Sequence, residues 1–228
     1  MDLTQHYNQL YKKSSETILA GSYKLDSQLN NESDSRFGIT LLIRPNETIK
    51  ENIQFFLDEL KAIEPHQYYY PDADIHTTVM SIISCYGGFS LDKINVHEYI
   101  DLIQQSLVHL DKIKIEFRGV TASPSAIMIQ GFPTDESLNN FRNKLRENFK
   151  KSSLEQSIDS RYSIATAHST VMRFQEKLQD PEKLIDILEK YRDYNFGNFK
   201  VENLELVYND WYQRESNTIH LAEFYIAN

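Results

Sequence analysis

A nine-residue segment rich in β-branched residues occurs twice in this chain of 228 residues. Asp74-Ile75-His76-Thr77-Thr78-Val79-Met80-Ser81-Ile82 lines up with Thr166-Ala167-His168-Ser169-Thr170-Val171-Met172-Arg173-Phe174, 92 residues downstream. The two copies share His, Thr, Val and Met at the same offsets. Thr, Val and Ile suit a half-buried pleated surface, so both copies read as strands. With only seven histidines in the chain, duplication of a half-domain explains the match economically. The fold must then hold two similar strands, each presenting an imidazole beside a hydroxyl.

The surrounding pattern supplies partners for those strands. Residues 3–19 predict a helix, with Leu3, Tyr7, Leu10, Tyr11 and Ile18 on one stripe, followed by a polar linker over 26–35. From Arg36 onward strands and helices alternate. Strands are predicted at 37–43, 74–84, 112–122, 126–131, 162–174, 199–208 and 218–227. Helices are predicted at 47–63, 91–110, 134–151 and 181–191, with Thr134 capping the third and Pro181 opening the fourth. Strand pairs joined by short turns, mixed with helices, imply an α+β arrangement of antiparallel sheets covered by helices. The division this suggests is an N-terminal helix and linker over 1–35 and one domain over 36–228.

Composition narrows the class. A chain with 40% hydrophobic and 25% charged residues, seven Gly and six Pro is a folded globular protein. The single cysteine, Cys85, allows neither an internal disulfide nor a cysteine-based zinc site. No apolar stretch has the length of a membrane helix, and the polar start is no signal peptide, so a soluble cytoplasmic monomer is expected. The 24 Lys and Arg against 33 Asp and Glu leave a net charge of −9, a field that repels long duplex nucleic acid. A small phosphate ligand held by a few local donors is still compatible with that charge. No glycine-rich loop follows any predicted strand, so a Rossmann or P-loop reading has no support.

In a strand, His76 and Thr78 share one face, as do His168 and Thr170, each pair roughly 6.5–7 Å apart along the backbone. Imidazole has an unperturbed pKa of about 6.5, so one ring can act as base and the other as acid near neutral pH. Displacement at phosphorus uses both: a base for the proton of the attacking oxygen, an acid for the leaving oxygen. The threonine hydroxyls would donate to the non-bridging oxygens. Such a site requires no metal and no other cofactor. The competing use of a strand histidine is a hydrogen-bonded, half-buried side chain, and that use weighs more for one motif alone than for a matched pair.

Two His-x-Thr-hydrophobic motifs, some ninety residues apart in an α+β chain of this size, resemble the two-histidine (2H) phosphoesterase superfamily. That superfamily includes the 2'-5' RNA ligase-like proteins and cyclic nucleotide phosphodiesterases. The resemblance covers about residues 36–228 in element order and is specific at the two motifs. It implies a bilobal fold with approximate two-fold symmetry, one antiparallel sheet and its helices per lobe, and a central groove lined by the motif strands. It also implies metal-independent phosphodiesterase chemistry on 2',3'-cyclic phosphates, 1'',2''-cyclic phosphates or 2'-5' linkages in small nucleotides or RNA ends. His76, Thr78, His168 and Thr170 occupy its catalytic positions, and Arg173 matches an arginine that members often carry after the second motif. The odd offset of Arg173 from His168 sets it on the opposite strand face unless a bulge intervenes. A non-catalytic module of the same fold that binds a nucleotide or RNA end is the alternative.

Other residues are weaker candidates. Tyr70, in the run 68–70, and Tyr86 flank the first motif strand, where rings could stack on a nucleobase or pack in the core. Trp211 and Tyr212 lie in the last strand-to-strand loop. His220 could join His76 and His168 only in a three-histidine metal site that leaves the threonines without a role. His6, His66, His97 and His109 read as solvated. The basic run Arg142, Lys144, Arg146, Lys150 and Lys151 reads as an exposed helix face.

Overall fold

The computed structural model describes residues 2–108, 110, 112–161 and 163–226. Helix α1 (Leu3–Leu19) is capped by the Asp2 carboxylate, which accepts from the Gln5 amide. Strand β1 (Arg36–Ile43) leads to α2 (Glu47–Ile63), whose Asn46 cap accepts from the Ile49 amide. Then come β2 (Tyr68–Tyr69), β3 (Thr77–Gly87), α3 (Val96–Ser106), β4 (Lys114–Ser123) and β5 (Ala126–Pro133). Helix α4 (Ser137–Lys151), β6 (Ser169–Arg173), α5 (Pro181–Lys190), β7 (Asn195–Lys200), β8 (Asn203–Asp210) and β9 (Ile219–Tyr225) complete the chain.

Two antiparallel sheets result, one in the order β3-β1-β8-β9 and the other β2-β6-β5-β4-β7. The fold is α+β, as the element pattern implies, and bilobal, as the resemblance implies. The helices cross between lobes. Helix α2 follows β1 of the first sheet but packs on β7 and β6 of the second; α4 follows β5 of the second but packs on β3 of the first. The crossing follows from burial: α2 hides Ile49, Ile53, Phe56, Leu57 and Leu60, and α4 hides Leu138, Phe141, Leu145 and Phe149, each stripe at helical spacing. Helix α1 lies on β4, with Tyr7 and Ile18 buried beneath it. Among the described residues, no helix is long and apolar enough to cross a membrane.

Several boundaries differ from the sequence reading. The first motif strand starts at Thr77, after a short 3-10 turn over Asp72–Asp74, and the second spans only Ser169–Arg173. His76 and His168 therefore stand just ahead of their strands. The proposed starts and ends at Tyr162 and Ala227 lie outside the described residues, as does His109. The single strand expected over 199–208 is two strands in different sheets, because the chain changes lobe between Lys200 and Asn203. The helix expected over 91–110 is a 3-10 turn, Leu91–Lys93, then α3. Helix α4 starts at Ser137, not at Thr134, and the Asp135 carboxylate takes the Ser137 amide. Arg142 is not on an exposed face: it is 0% exposed, inside the apolar stripe of α4.

Candidate active site

A cleft of about 170 Å³ opens between the two sheets, lined by His76, Thr78 and Ser81 of the first repeat and His168, Thr170 and Arg173 of the second. Its location follows from the strands that meet there. The residue after each histidine points away from the cleft, and these two hydroxyls, Thr77 Oγ1 and Ser169 Oγ, lie 3.0 Å apart.

Each motif strand carries the same irregularity. Between Leu41 and Leu42 of β1 the partner strand advances from Met80 to Thr78, so Val79 is an extra residue. Between Ile127 and Met128 of β5 the partner advances from Met172 to Thr170, so Val171 is extra. Both valines are fully buried. A bulge of one residue turns a three-residue offset into a two-residue one, which brings Arg173 to the side of Thr170 and Ser81 to the side of Thr78. The bulge on which the orientation of Arg173 depended is present.

The imidazoles are half-buried and held through Nδ1. His76 Nδ1 donates to the Asp74 carbonyl at 2.7 Å, which leaves its Nε2 as the bare nitrogen of the neutral ring. His168 Nδ1 lies 2.8 Å from Thr166 Oγ1. The approach to His168 is tight: a Cβ on Gly131 of β5 would stand 1.9 Å from the Ala167 carbonyl oxygen, so only glycine fits there. Burial lowers the pKa of both rings to about 4. Electrostatic interaction with basic groups lowers each value further, Arg44, His168 and Arg173 for His76, and Arg142, His6 and Arg173 for His168. His6, read as solvated, is half-buried and acts on His168, whereas His66 and His97 are exposed. The sequence reading left both values near 6.5; the desolvation that moves them depends on tertiary packing. Among the described residues, neither Thr78 nor Thr170 has its hydroxyl engaged by the protein.

Arg173 is aimed by several groups. Its Nε donates to the Tyr70 hydroxyl at 2.8 Å, its Nη1 lies 3.4 Å from Asp26 Oδ2, and its guanidinium sits 5.3 Å from the Tyr212 ring centroid. Asp26 is held by the Tyr212 hydroxyl at 2.8 Å. Tyr70 lines the cleft but is 1% exposed, leaving no open ring face for a base. Tyr86 is not among the lining residues; its hydroxyl donates to Glu155. His220 is exposed on β9, away from the lining. Trp211 and Arg161 do line the cleft, the guanidinium 4.3 Å from the ring centroid. Arg161 had no motif to single it out. Arg142 carried a legible signal, a cation flanked by Leu138, Phe141, Leu145 and Phe149 at helical spacing.

No family model matches the chain, and no curated protein matches it in sequence. Solved structures do match in fold. TT0787 of Thermus thermophilus is 14% identical, with a TM-score of 0.58 over 84% of this chain and 97% of its own. Escherichia coli LigT complexed with 3'-AMP is 11% identical, with a TM-score of 0.56 over 85% and 99%. A conserved protein of unknown function from Agrobacterium tumefaciens is 12% identical, with a TM-score of 0.57 over 92% and 99%. The chain has a LigT-like fold.

Proposed function

We propose that this chain is a phosphodiesterase that opens 2',3'-cyclic phosphates or cleaves 2'-5' linkages in small nucleotides and RNA ends, with His76 and His168 as its general acid and base. The observation that carries the reading is the convergence of two repeated His-x-Thr motifs, bulges included, on one cleft. In hydrolysis of a cyclic phosphate, one neutral imidazole accepts a proton from water as its oxygen bonds to phosphorus. The other, protonated, gives its proton to the ribose oxygen as the P–O bond breaks. In cleavage of a 2'-5' link, the neighbouring 3'-hydroxyl replaces water. Thr78 and Thr170 donate to the non-bridging oxygens, and Arg173 balances the phosphate charge. A fold shared with LigT, solved with 3'-AMP bound, is compatible with a nucleotide-sized ligand.

Rings with pKa values of about 4 are both neutral near pH 7, so the acid form has to be created by the substrate's own negative charge. This favours as second reading a module that binds a nucleotide or RNA end with little turnover. Hydrolysis of 2',3'-cyclic nucleotide in EDTA separates the two. The enzyme reading expects each of His76→Ala and His168→Ala to lower the rate at least ~100-fold. Wild-type rates in both variants would reject it, and wild-type binding without any hydrolysis would establish the module.

A further inference from the structure

Among the described residues, Arg142 is the largest fully buried side chain, and no carboxylate forms an ion pair with its guanidinium. Its partners are chiefly main-chain carbonyls. Nε donates to Val79 O at 3.0 Å and Nη2 to Thr78 O at 3.0 Å, both at the bulge of the first motif. Nη2 also donates to Thr166 O at 2.8 Å, on the approach to the second motif, and Nη1 reaches Asn139 Oδ1 at 3.4 Å. Thr166 in turn holds His168 Nδ1 through its hydroxyl. One planar fork, carried by a helix that has crossed from the other lobe, thus spans both copies of the repeat.

We propose that Arg142 is a positioning residue that fastens the first motif's bulge to the second motif's approach and so sets the spacing of His76 and His168. The inference rests on the reading that these two histidines serve one site. Burying a cation without an acid is unfavourable, and a methionine of similar volume would fill the same space without that cost. What methionine cannot supply is several donors in fixed directions, and lysine has no planar fork. Three carbonyls from two separate segments match what a guanidinium offers. The charge has a second effect, because it faces His168 and opposes protonation of that ring. The other groups facing His168 are His6 of α1 and Arg173 of β6; Arg142 itself is faced by Arg146, Tyr7 and Asp159.

The test uses the full chain with Arg142→Met and Arg142→Lys, following both imidazoles by NMR titration and kcat and KM on 2',3'-cyclic nucleotide. Arg142→Met is expected to raise the pKa of His168 by half a unit or more and to leave His76 nearly unmoved. Arg142→Lys, which keeps the charge, is expected to leave both titrations as in wild type. Both variants are expected to lose kcat about tenfold or more, with KM within about threefold. Unchanged titration in Arg142→Met, or kcat within twofold of wild type in both variants, would overturn the proposal. If the methionine variant does not fold, the wild type decides: Arg142 Nε–H and Nη–H protons should exchange slowly and couple across hydrogen bonds to the carbonyls of Thr78, Val79 and Thr166. Rapid exchange and no coupling would overturn it. Should His76→Ala and His168→Ala hydrolyse as wild type does, the catalytic reading falls, while the titrations still judge Arg142.

Discussion

Thr77 and Ser169, the residues that follow the two motif histidines, meet hydroxyl to hydroxyl at 3.0 Å, and both are 0% exposed. They are equivalent positions of the two motifs, each one residue after its histidine. This hydrogen bond joins β3 of one sheet to β6 of the other, at the residues next to the cleft-lining histidines.

Thr77→Val keeps the shape and leaves the Ser169 hydroxyl buried without its partner. A loss of about 1–3 kcal/mol is expected in urea denaturation. Thr77→Val with Ser169→Ala should recover part of that loss, because no orphaned hydroxyl is left. A double variant no more stable than Thr77→Val would show that the hydroxyl pair carries no coupling.

Tyr70→Phe removes the acceptor of Arg173 Nε while keeping the ring. An arginine no longer aimed should bind phosphate less well, so KM is expected to rise about three- to tenfold with kcat changed less. Steady-state kinetics on 2',3'-cyclic nucleotide measures the split. A fall confined to kcat would take Arg173 out of ground-state binding.

The depressed pKa values of His76 and His168 carry a stability signature. The folded rings titrate at about 4, and free imidazole at about 6.5. Between those values the unfolded chain binds more protons. The contribution of the rings is therefore fully present above pH 6.5 and is lost as pH falls toward 4. Allowing for their partial contact with water, about 2 kcal/mol per ring should disappear across that window. Urea midpoints measured from pH 7 to pH 4.5 should show a steeper decline in wild type than in the His76→Asn/His168→Asn protein. Equal declines would mean that the rings are not desolvated.

An anion seated between the rings reverses the balance that keeps them neutral. Inorganic phosphate added to the full chain is expected to raise both imidazole pKa values toward or above 6, followed by NMR. Rings that keep titrating near 4 at saturating phosphate would put the anion elsewhere.

How much of this was legible depends on the range of the interaction. The α2 stripe and the α1 stripe are local, and both helices lie where periodicity put them. The shared fold and the four motif residues that meet in the cleft were readable because His, Thr, Val and Met recur at the same offsets in two segments. The bulges were not, since Val79 and Val171 are as apolar as regular strand residues, and register is decided by β1 and β5. Nor was the break between β7 and β8, because residues 199–208 read as one strand although their partners belong to different sheets. Arg142 was misread for a related reason: the neighbours at 144, 146, 150 and 151 suggested a solvated face, and its carbonyl partners lie 63, 64 and 24 residues away.

The place of β8 bears on how the molecule is made. Strand β1 lies between β3 and β8, so the nascent chain can cover one of its edges early, while the other waits for Asn203–Asp210. Throughout most of synthesis that bare edge is a template for any extended peptide nearby. Emergence of the last strands from the ribosome closes the sheet, and the half that is translated first is the half that is finished last.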